Sequence, residues 1–101
     1  MSTLHLVNRP PEHGDGLAAA LRAAAPGDAV LLLEDGVYGA ARGSAGATLL
    51  AGREAGVTLH VLAPDLRARG LARRIVEDAE AVDDAGFVAL AVVHGRTASW
   101  S

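Results

Sequence analysis

Two carboxylates that follow an apolar run are the first candidates for chemistry. Glu34-Asp35-Gly36 comes directly after residues 29–33, which are all apolar. Such a run predicts a strand buried on both faces of a parallel sheet, and open α/β sheets bind their ligands beyond the carboxyl ends of the strands. Paired carboxylates at that place can hold a metal ion or exchange protons with a substrate. The simpler interpretation, which we favour, is that Asp35 caps the following helix and Gly36 makes the turn.

The four histidines are scattered along the chain, at positions 5, 13, 60 and 94. They lack the H-x-H or E-x-x-H spacing of metal ligands. His5 and His60 fall within predicted strands, so we expect hydrogen-bonded histidines of the core or of a sheet edge. The serines show no G-x-S-x-G elbow, and a chain with no cysteine has no thiol nucleophile.

A group of arginines follows the third predicted strand, at positions 67, 69, 73 and 74. A group of this kind usually faces solvent, and the alternative is a site for an anion or a partner protein. The whole chain carries 12 acidic against 9 basic residues, a net charge of -3. Because non-specific nucleic-acid binding depends on neutralising phosphates with Lys and Arg, we expect no direct nucleic-acid partner.

The elements that must position these residues alternate between strand and helix. Strands are predicted at residues 4–7, 29–33, 57–62 and 79–82, and residues 96–101 are predicted to be a tail. Helices are predicted at residues 16–24, in two pieces between 37 and 55 with a break near Gly43, at 66–69 and at 85–94. This alternation predicts an α/β fold, a single small three-layer domain over residues 1–101 with a mostly parallel sheet of about four or five strands.

Three of these helices begin after an acidic residue. Asp15, Asp65 and the pair Asp83-Asp84 stand immediately before the predicted first turns. A carboxylate at this position can accept hydrogen bonds from the free amides of the first turn. We therefore predict that all three sites are side-chain N-caps.

The length and the composition exclude several classes of protein. A chain of 101 residues has room for one domain. It has no cysteine for a disulfide framework, and no apolar run approaches the roughly 20 residues of a membrane span. The first residues lack a signal peptide pattern, so we expect a cytoplasmic protein. A parallel sheet this small can hardly cover its own faces and edges, which predicts association with partners through aromatic residues such as Tyr38 and Trp100.

Five segments resemble the DsrH/TusB family, in the order that the family has them. The family's L-H-T-x-x-x-S-P start resembles residues 4–11, and its L-L-x-E/Q-D-G-V/I segment resembles residues 31–38. Its D-L-x-A-R-G-L/F signature resembles residues 62–71, and its V-D-Y-x-x-F-V segment resembles residues 82–88. Its terminal tryptophan resembles Trp100. Each segment is a weak signal by itself, but together they span nearly the whole chain. The resemblance implies a fold like that of the DsrEFH proteins.

The resemblance also implies a sulfur-relay function. Members of this family form heterohexamers with two copies each of three related subunits. One branch, TusBCD, passes persulfide sulfur toward 2-thiouridine in tRNA, and the other, DsrEFH, serves dissimilatory sulfur oxidation. Glu34, Tyr38 and Pro64 look closer to the DsrH branch, whereas Ala20 stands where DsrH-type members carry a cysteine that TusB-type members commonly lack. The branch therefore stays open.

The absence of cysteine indicates which part the chain would have in such a complex. Sulfur relay needs a thiolate that attacks or accepts a sulfane sulfur, and this chain has none. We therefore expect a non-catalytic subunit whose DsrE/TusD-like partner supplies the active cysteine. A DsrF/TusC-like subunit would complete the heterohexamer, and a DsrC/TusE-like sulfur carrier is a further candidate partner. No cofactor, metal ion or membrane is expected.

Eight residues are candidates for the interface or for supporting a site rather than for catalysis: Glu34, Asp35, Gly36, Tyr38, Asp65, Arg67, Arg69 and Trp100. Two other hypotheses remain. One is a self-associating regulatory module that binds a small ligand at the acidic turn. The other is an enzyme that acts alone through histidines and carboxylates.

Overall fold

Five parallel strands form the centre of the molecule in the computed structural model, which describes all 101 residues. The strands are β1 (Thr3–Val7), β2 (Ala29–Leu32), β3 (Thr58–Leu62), β4 (Glu80–Val82) and β5 (Arg96–Trp100). They lie in the order β4-β3-β2-β1-β5, and every neighbouring pair is parallel. The predicted α/β fold with a parallel sheet is confirmed.

The connections between the strands are helical. The α-helices are α1 (Gly16–Ala23), α2 (Ala45–Ala51), α3 (Ala63–Ala68) and α4 (Asp84–His94), and two 3-10 helices span Pro11–His13 and Glu34–Ala40. The predicted break near Gly43 is confirmed, and the piece before it is a 3-10 helix. No helix has the length and apolar character that crossing a membrane requires.

The tail prediction for residues 96–101 is wrong, because most of this segment is β5. It pairs with β1 in a register that places Ala98 opposite His5 and Trp100 opposite Val7. Only Ala98 and Trp100 are partly buried, and the other strand residues are exposed. A strand with so few buried residues carries a weak apolar pattern, and its pairing with β1 becomes visible only in the tertiary structure.

The N-cap predictions have mixed outcomes. The Asp83 carboxylate accepts from the Gly86 amide at 2.8 Å, as predicted. Asp15 precedes α1 but accepts from the Arg22 guanidinium instead, because its backbone is not in the extended conformation of a typical N-cap. Asp65 lies inside α3, which begins at Ala63 with Pro64 in its first turn, a position where the missing proline N–H costs no helical hydrogen bond.

The core occupies both faces of the sheet. On one face, the largest cluster joins strand residues such as Val30 and Leu32 to Leu17 of α1 and Leu50 of α2. On the other face, a smaller cluster of Leu4, Ala29 and Leu31 is covered by three residues of α4: Phe87, Leu90 and Ala91. All four residues of β2 are buried, as its uninterrupted apolar sequence predicts. The three layers of the prediction are therefore present, and one of them is a single helix.

Gly36 allows the chain beyond β2 to pass close to the end of β1. The Leu33 amide donates to the Val7 carbonyl at 3.1 Å. A Cβ atom at Gly36 would overlap that same carbonyl oxygen and lie 3.2 Å from the Asn8 carbonyl carbon. The close approach of these two backbones thus requires a residue without a side chain.

We expect Gly36→Ala to lower the free energy of unfolding by about 1–3 kcal/mol, because an added methyl group in a packed site forces the backbone to shift. Urea unfolding followed by circular dichroism measures the change. Gly52→Ala is the matched control, since its Cβ would lie 3.5 Å from the nearest atom, the Leu49 carbonyl oxygen. We expect the control to change stability by less than about 0.5 kcal/mol. Equal effects of the two substitutions would contradict the prediction.

Candidate functional site

The carboxyl ends of β2 and β3 bring most of the candidate residues to one edge of the sheet. The 3-10 helix Glu34–Ala40 begins two residues after β2 ends, and α3 begins directly after β3. Because β2 and β3 are neighbours in the sheet, the two segments lie side by side. The structure therefore assembles Glu34, Asp35, Tyr38, Asp65 and Arg69, which are far apart in the sequence.

The Asp65 carboxylate connects these two segments. It accepts a hydrogen bond of 2.6 Å from the backbone amide of Glu34. Glu34 has a φ of 50° and is the only residue other than glycine with a positive φ, a conformation that costs free energy in a non-glycine residue. The hydrogen bond from its amide to Asp65 compensates part of that cost, so Asp65 supports the turn after β2 rather than capping its own helix.

Arg69 is the centre of the cluster. Its Nε and Nη2 atoms donate to Asp35 Oδ1 at 3.0 and 2.9 Å, and its Nη1 atom donates to the Asp65 carbonyl at 3.1 Å. The guanidinium carbon also lies 6.0 Å from the centre of the Tyr38 ring, within the range of a cation–π contact. The guanidinium is thus held in one place by two segments of the chain.

Asp35 does not cap a helix, so that part of the prediction is wrong. Its carboxylate points to Arg69, and the 3-10 helix that contains it has no side-chain cap. Arg67, Arg73 and Arg74 are exposed, whereas Arg69 is partly buried and paired. The arginine group therefore divides into three side chains at the surface and one that is fixed.

Ligand chemistry at this edge is limited by these contacts. Asp35 and Asp65 already accept hydrogen bonds from within the chain. No group of three or more His, Cys, Asp or Glu side chains is arranged to hold a metal ion. The edge presents an ordered arginine beside a tyrosine that is 43% exposed.

Trp100 lies apart from this cluster, at the end of β5, and forms a second one with His5 and Asp28. Its indole Nε1 donates to His5 Nδ1 at 3.1 Å, and His5 Nε2 lies 2.9 Å from Asp28 Oδ2. An indole N–H can only donate, so Nδ1 must accept and Nε2 must donate to the carboxylate. Trp100 is half-buried against the main core, and its polar atom is already used within the chain.

In this second cluster, His5 and Asp28 resemble the base and the orienting acid of a hydrolase, but the cluster has no nucleophile. In such enzymes the free imidazole nitrogen takes a proton from a hydroxyl or a thiol. Here that nitrogen accepts from Trp100, and both His5 and Asp28 are buried. The predicted role of His5 as a hydrogen-bonded core histidine is confirmed.

The same holds for His60, which the sequence also predicts to be hydrogen-bonded. Its two ring nitrogens lie 2.8 Å from Glu80 Oε1 and 2.9 Å from Thr58 Oγ1. Asp28, in contrast, was missed as a structural residue. Its position directly before the apolar run of β2 was the only signal in the sequence, and its partner His5 is 23 residues away.

Ala20, the position of the family cysteine in the resemblance, is in α1. Its side chain is fully buried in the main core. It does not belong to the cluster around Arg69 or to the cluster around Trp100.

Comparison with known proteins agrees with this fold. Residues 10–97 match the protein family described as "DsrH like protein". The chain belongs to the DsrH family. The family resemblance carried by the five segments is therefore confirmed, and it supports the sulfur-relay subunit function that the resemblance implies.

Curated relatives and a solved structure extend this result. Protein TusB of Klebsiella pneumoniae (strain 342) is 40% identical over 97 residues, which are 96% of this chain and 99% of the relative. Protein TusB of Erwinia tasmaniensis is 43% identical with the same coverage. The crystal structure of ychN protein from E. coli has a TM-score of 0.75 and covers 99% of this DsrH-family chain and all of its own, at 13% identity. That likeness shows the fold alone.

The Asp28 carboxylate has an unusually low pKa because of the hydrogen bonds that it accepts. Burial by itself raises the pKa. The hydrogen bond from His5 and the backbone hydrogen bonds from Ala25 and Thr3 outweigh burial and lower the pKa of Asp28 from 3.8 to about 2. The folded state therefore favours the ionised carboxylate more than the unfolded state does.

We expect the stabilisation from Asp28 to be complete above pH 3.8 and to be lost as the pH falls through about 2, because protonation then removes a charged acceptor. Asp28→Asn should lower the free energy of unfolding at neutral pH by about 1.5–3 kcal/mol and flatten the stability profile in that acid range. Urea midpoints measured between neutral and acid pH test both effects. Asp15→Asn, at an exposed ion pair, is the control. A wild-type profile that Asp28→Asn leaves unchanged would contradict the prediction.

Proposed function

We propose that this DsrH-family chain is a non-catalytic subunit of a sulfur-relay complex of the TusB kind, which serves 2-thiouridine synthesis in tRNA. The observation that carries the proposal is full-length similarity to TusB proteins in a chain without cysteine. Persulfide transfer proceeds through a thiolate, so a second subunit must supply it. The relatives named TusB favour this branch over sulfur oxidation.

The partners in this proposal are homologous small subunits. A DsrE/TusD-like subunit carries the active cysteine, a DsrF/TusC-like subunit completes a heterohexamer, and a DsrC/TusE-like carrier exchanges sulfur with the complex. A relay that acts on tRNA implies a cytoplasmic location. The net charge of -3 makes this chain a poor phosphate binder, so contact with tRNA falls to other components.

Position 20 supports a non-catalytic role independently of the cysteine count. Ala20 is fully buried within the main core, where its side chain has no access to a carrier protein. The chain therefore contributes structure and surface to the relay.

We place the partner contact at the carboxyl-edge surface, formed by Asp35, Tyr38, Arg67 and Arg69. Tyrosine and arginine are the residue types that most often dominate interface energetics. Arg69 is already held by Asp35 and by the Asp65 carbonyl, so binding would cost less side-chain entropy than it would for a free arginine. Tyr38 and Arg67 are exposed beside it.

Three of the other candidate residues support this surface. Gly36 lets the turn approach β1, and the Glu34 amide is fixed by Asp65, so substitutions there would act through the fold of the surface. Trp100 lies apart from it and fastens β5 to β1 through His5. The small-ligand alternative has less support, because one of the two carboxylates of the acidic turn, that of Asp35, already pairs with Arg69.

We expect Arg69→Ala to weaken binding of the partner subunits about tenfold or more, as truncating a central interface arginine costs more than about 1.4 kcal/mol. Calorimetric titration with the other purified subunits measures the affinity. Arg22→Ala, which removes an arginine from an exposed ion pair elsewhere, should change it less than twofold. Unfolding of the two free variants separates a binding effect from loss of fold, since exposed ion pairs contribute under about 1 kcal/mol. Equal affinities of the two variants would remove Arg69 from the interface.

The cellular function has a separate test. Deletion of the gene should abolish 2-thiouridine in tRNA, measured by mass spectrometry of digested tRNA, and the wild-type gene should restore it. Unchanged thiolation in the deletion strain would contradict the proposed branch. Recovery of the chain as a lone monomer from cells that contain the other subunits would contradict a role in a complex.

A further inference from the structure

The outward face of α4 is apolar over its whole length. Between Asp84 and His94 the helix has no charged residue. Phe87, Leu90 and Ala91 cover the sheet, yet Val88, Val92 and Val93 on the other side are 62%, 75% and 75% exposed. A helix that is apolar all round is normally buried all round, so this face requires a cover.

The exposed side chains form a narrow seam rather than a diffuse patch. Ala85, Val88, Ala89 and Val92 are all exposed, and their spacing of three, one and three residues places them on one stripe of the helix. This α4 seam alternates small and larger residues. It has the spacing by which two helices pack side by side.

The α4 seam is complementary to itself when a second copy runs in the opposite direction. With a two-fold axis between Val88 and Ala89, Ala85 faces Val92 of the other copy, and Val88 faces its Ala89. Each larger side chain then meets a small one at both halves of the interface. A symmetric dimer interface needs this self-complementarity, because the same patch must serve on both subunits.

The charges at the ends of the helix favour the same arrangement. Asp84 is exposed at the first turn of α4, and Arg96 is exposed just beyond its last residue. An antiparallel pair brings Asp84 of one copy toward Arg96 of the other at both ends. A parallel pair would instead place Asp84 beside Asp84 and Arg96 beside Arg96, which is unfavourable.

We propose that α4 is a homotypic interface, on which a second copy of this chain packs its own α4 in antiparallel orientation. The interface is distinct from the carboxyl-edge surface, so one molecule can bind a second copy and a partner subunit together. Because the seam belongs to the chain itself, the pairing does not depend on the proposed sulfur relay.

Cross-linking tests the orientation directly, since a chain without cysteine gives each introduced thiol a unique position. Ala89→Cys lies next to the two-fold axis and should form a disulfide-linked dimer of the purified full chain on mild oxidation. Ala85→Cys alone should link poorly, because its copies lie about 10 Å apart along the helix axis. A mixture of Ala85→Cys and Val92→Cys chains should link efficiently. Thr48→Cys, exposed on α2, is the control that should form no disulfide-linked dimer.

Three outcomes of cross-linking would overturn the proposal. Failure of Ala89→Cys to link above the level of Thr48→Cys would exclude a homotypic α4 contact. Linkage of Ala85→Cys as efficient as that of Ala89→Cys would exclude the antiparallel orientation. In the co-expressed complex, linkage of Ala89→Cys to a different subunit instead of to its own copy would assign the seam to a heterologous partner and reject the second copy.

A charge placed in the seam gives an independent readout. Val92→Glu should convert the dimeric full chain into a monomer in sedimentation equilibrium, with unchanged circular dichroism because the side chain is 75% exposed. Thr48→Glu should remain dimeric. A wild-type chain that is monomeric up to its solubility limit would overturn the proposal. Co-purification of Val92→Glu with the other relay subunits is read separately, so the failure of one proposal is distinguishable from the failure of the other.

Discussion

Parallel strand pairing is the constraint on which the rest of the structure depends. Every connection between parallel strands must cross back over a face of the sheet, and a chain of 101 residues has few residues for this purpose. Three connections pass over one face and build the main core. The return from β4 at one edge to β5 at the other is made by α4 alone. One helix therefore covers one face, and its own outer side is left apolar and exposed.

The same constraint creates the candidate functional surface. Parallel strands end at a common edge, so segments after β2 and β3 meet there even though they are about 30 residues apart in the sequence. Arg69 and Asp65 fasten the two segments together, and the carboxylates of Asp35 and Asp65 accept hydrogen bonds from within the chain. What remains outward is an ordered tyrosine–arginine surface.

Several features of the site followed from the sequence and several did not. The apolar run of β2 and the acidic turn after it predicted where the edge would be, since strand burial is a local pattern. The partners of Asp35 and Asp65 were not predictable, because a carboxylate before a helix is consistent with both a cap and a distant ion pair. The backbone decided between them. Asp83 is extended and caps its helix, whereas Asp65 is already helical and turns to the Glu34 amide.

The sequence by itself determined the α/β class, the membership suggested by five ordered segments, and the exclusion of thiol chemistry from this chain. The class and the exclusion depend on composition and periodicity, and the membership depends on a resemblance of local segments to a known family, so none of them needs knowledge of contacts. Only the tertiary structure decided that residues 96–100 form a fifth strand, that Trp100 is tied to His5 and Asp28, and that the outer side of α4 is uncovered. Each of these depends on which distant segments meet, because pairing with β1 supplies the hydrogen bonds of β5 and the single crossing of α4 determines which of its apolar faces is buried.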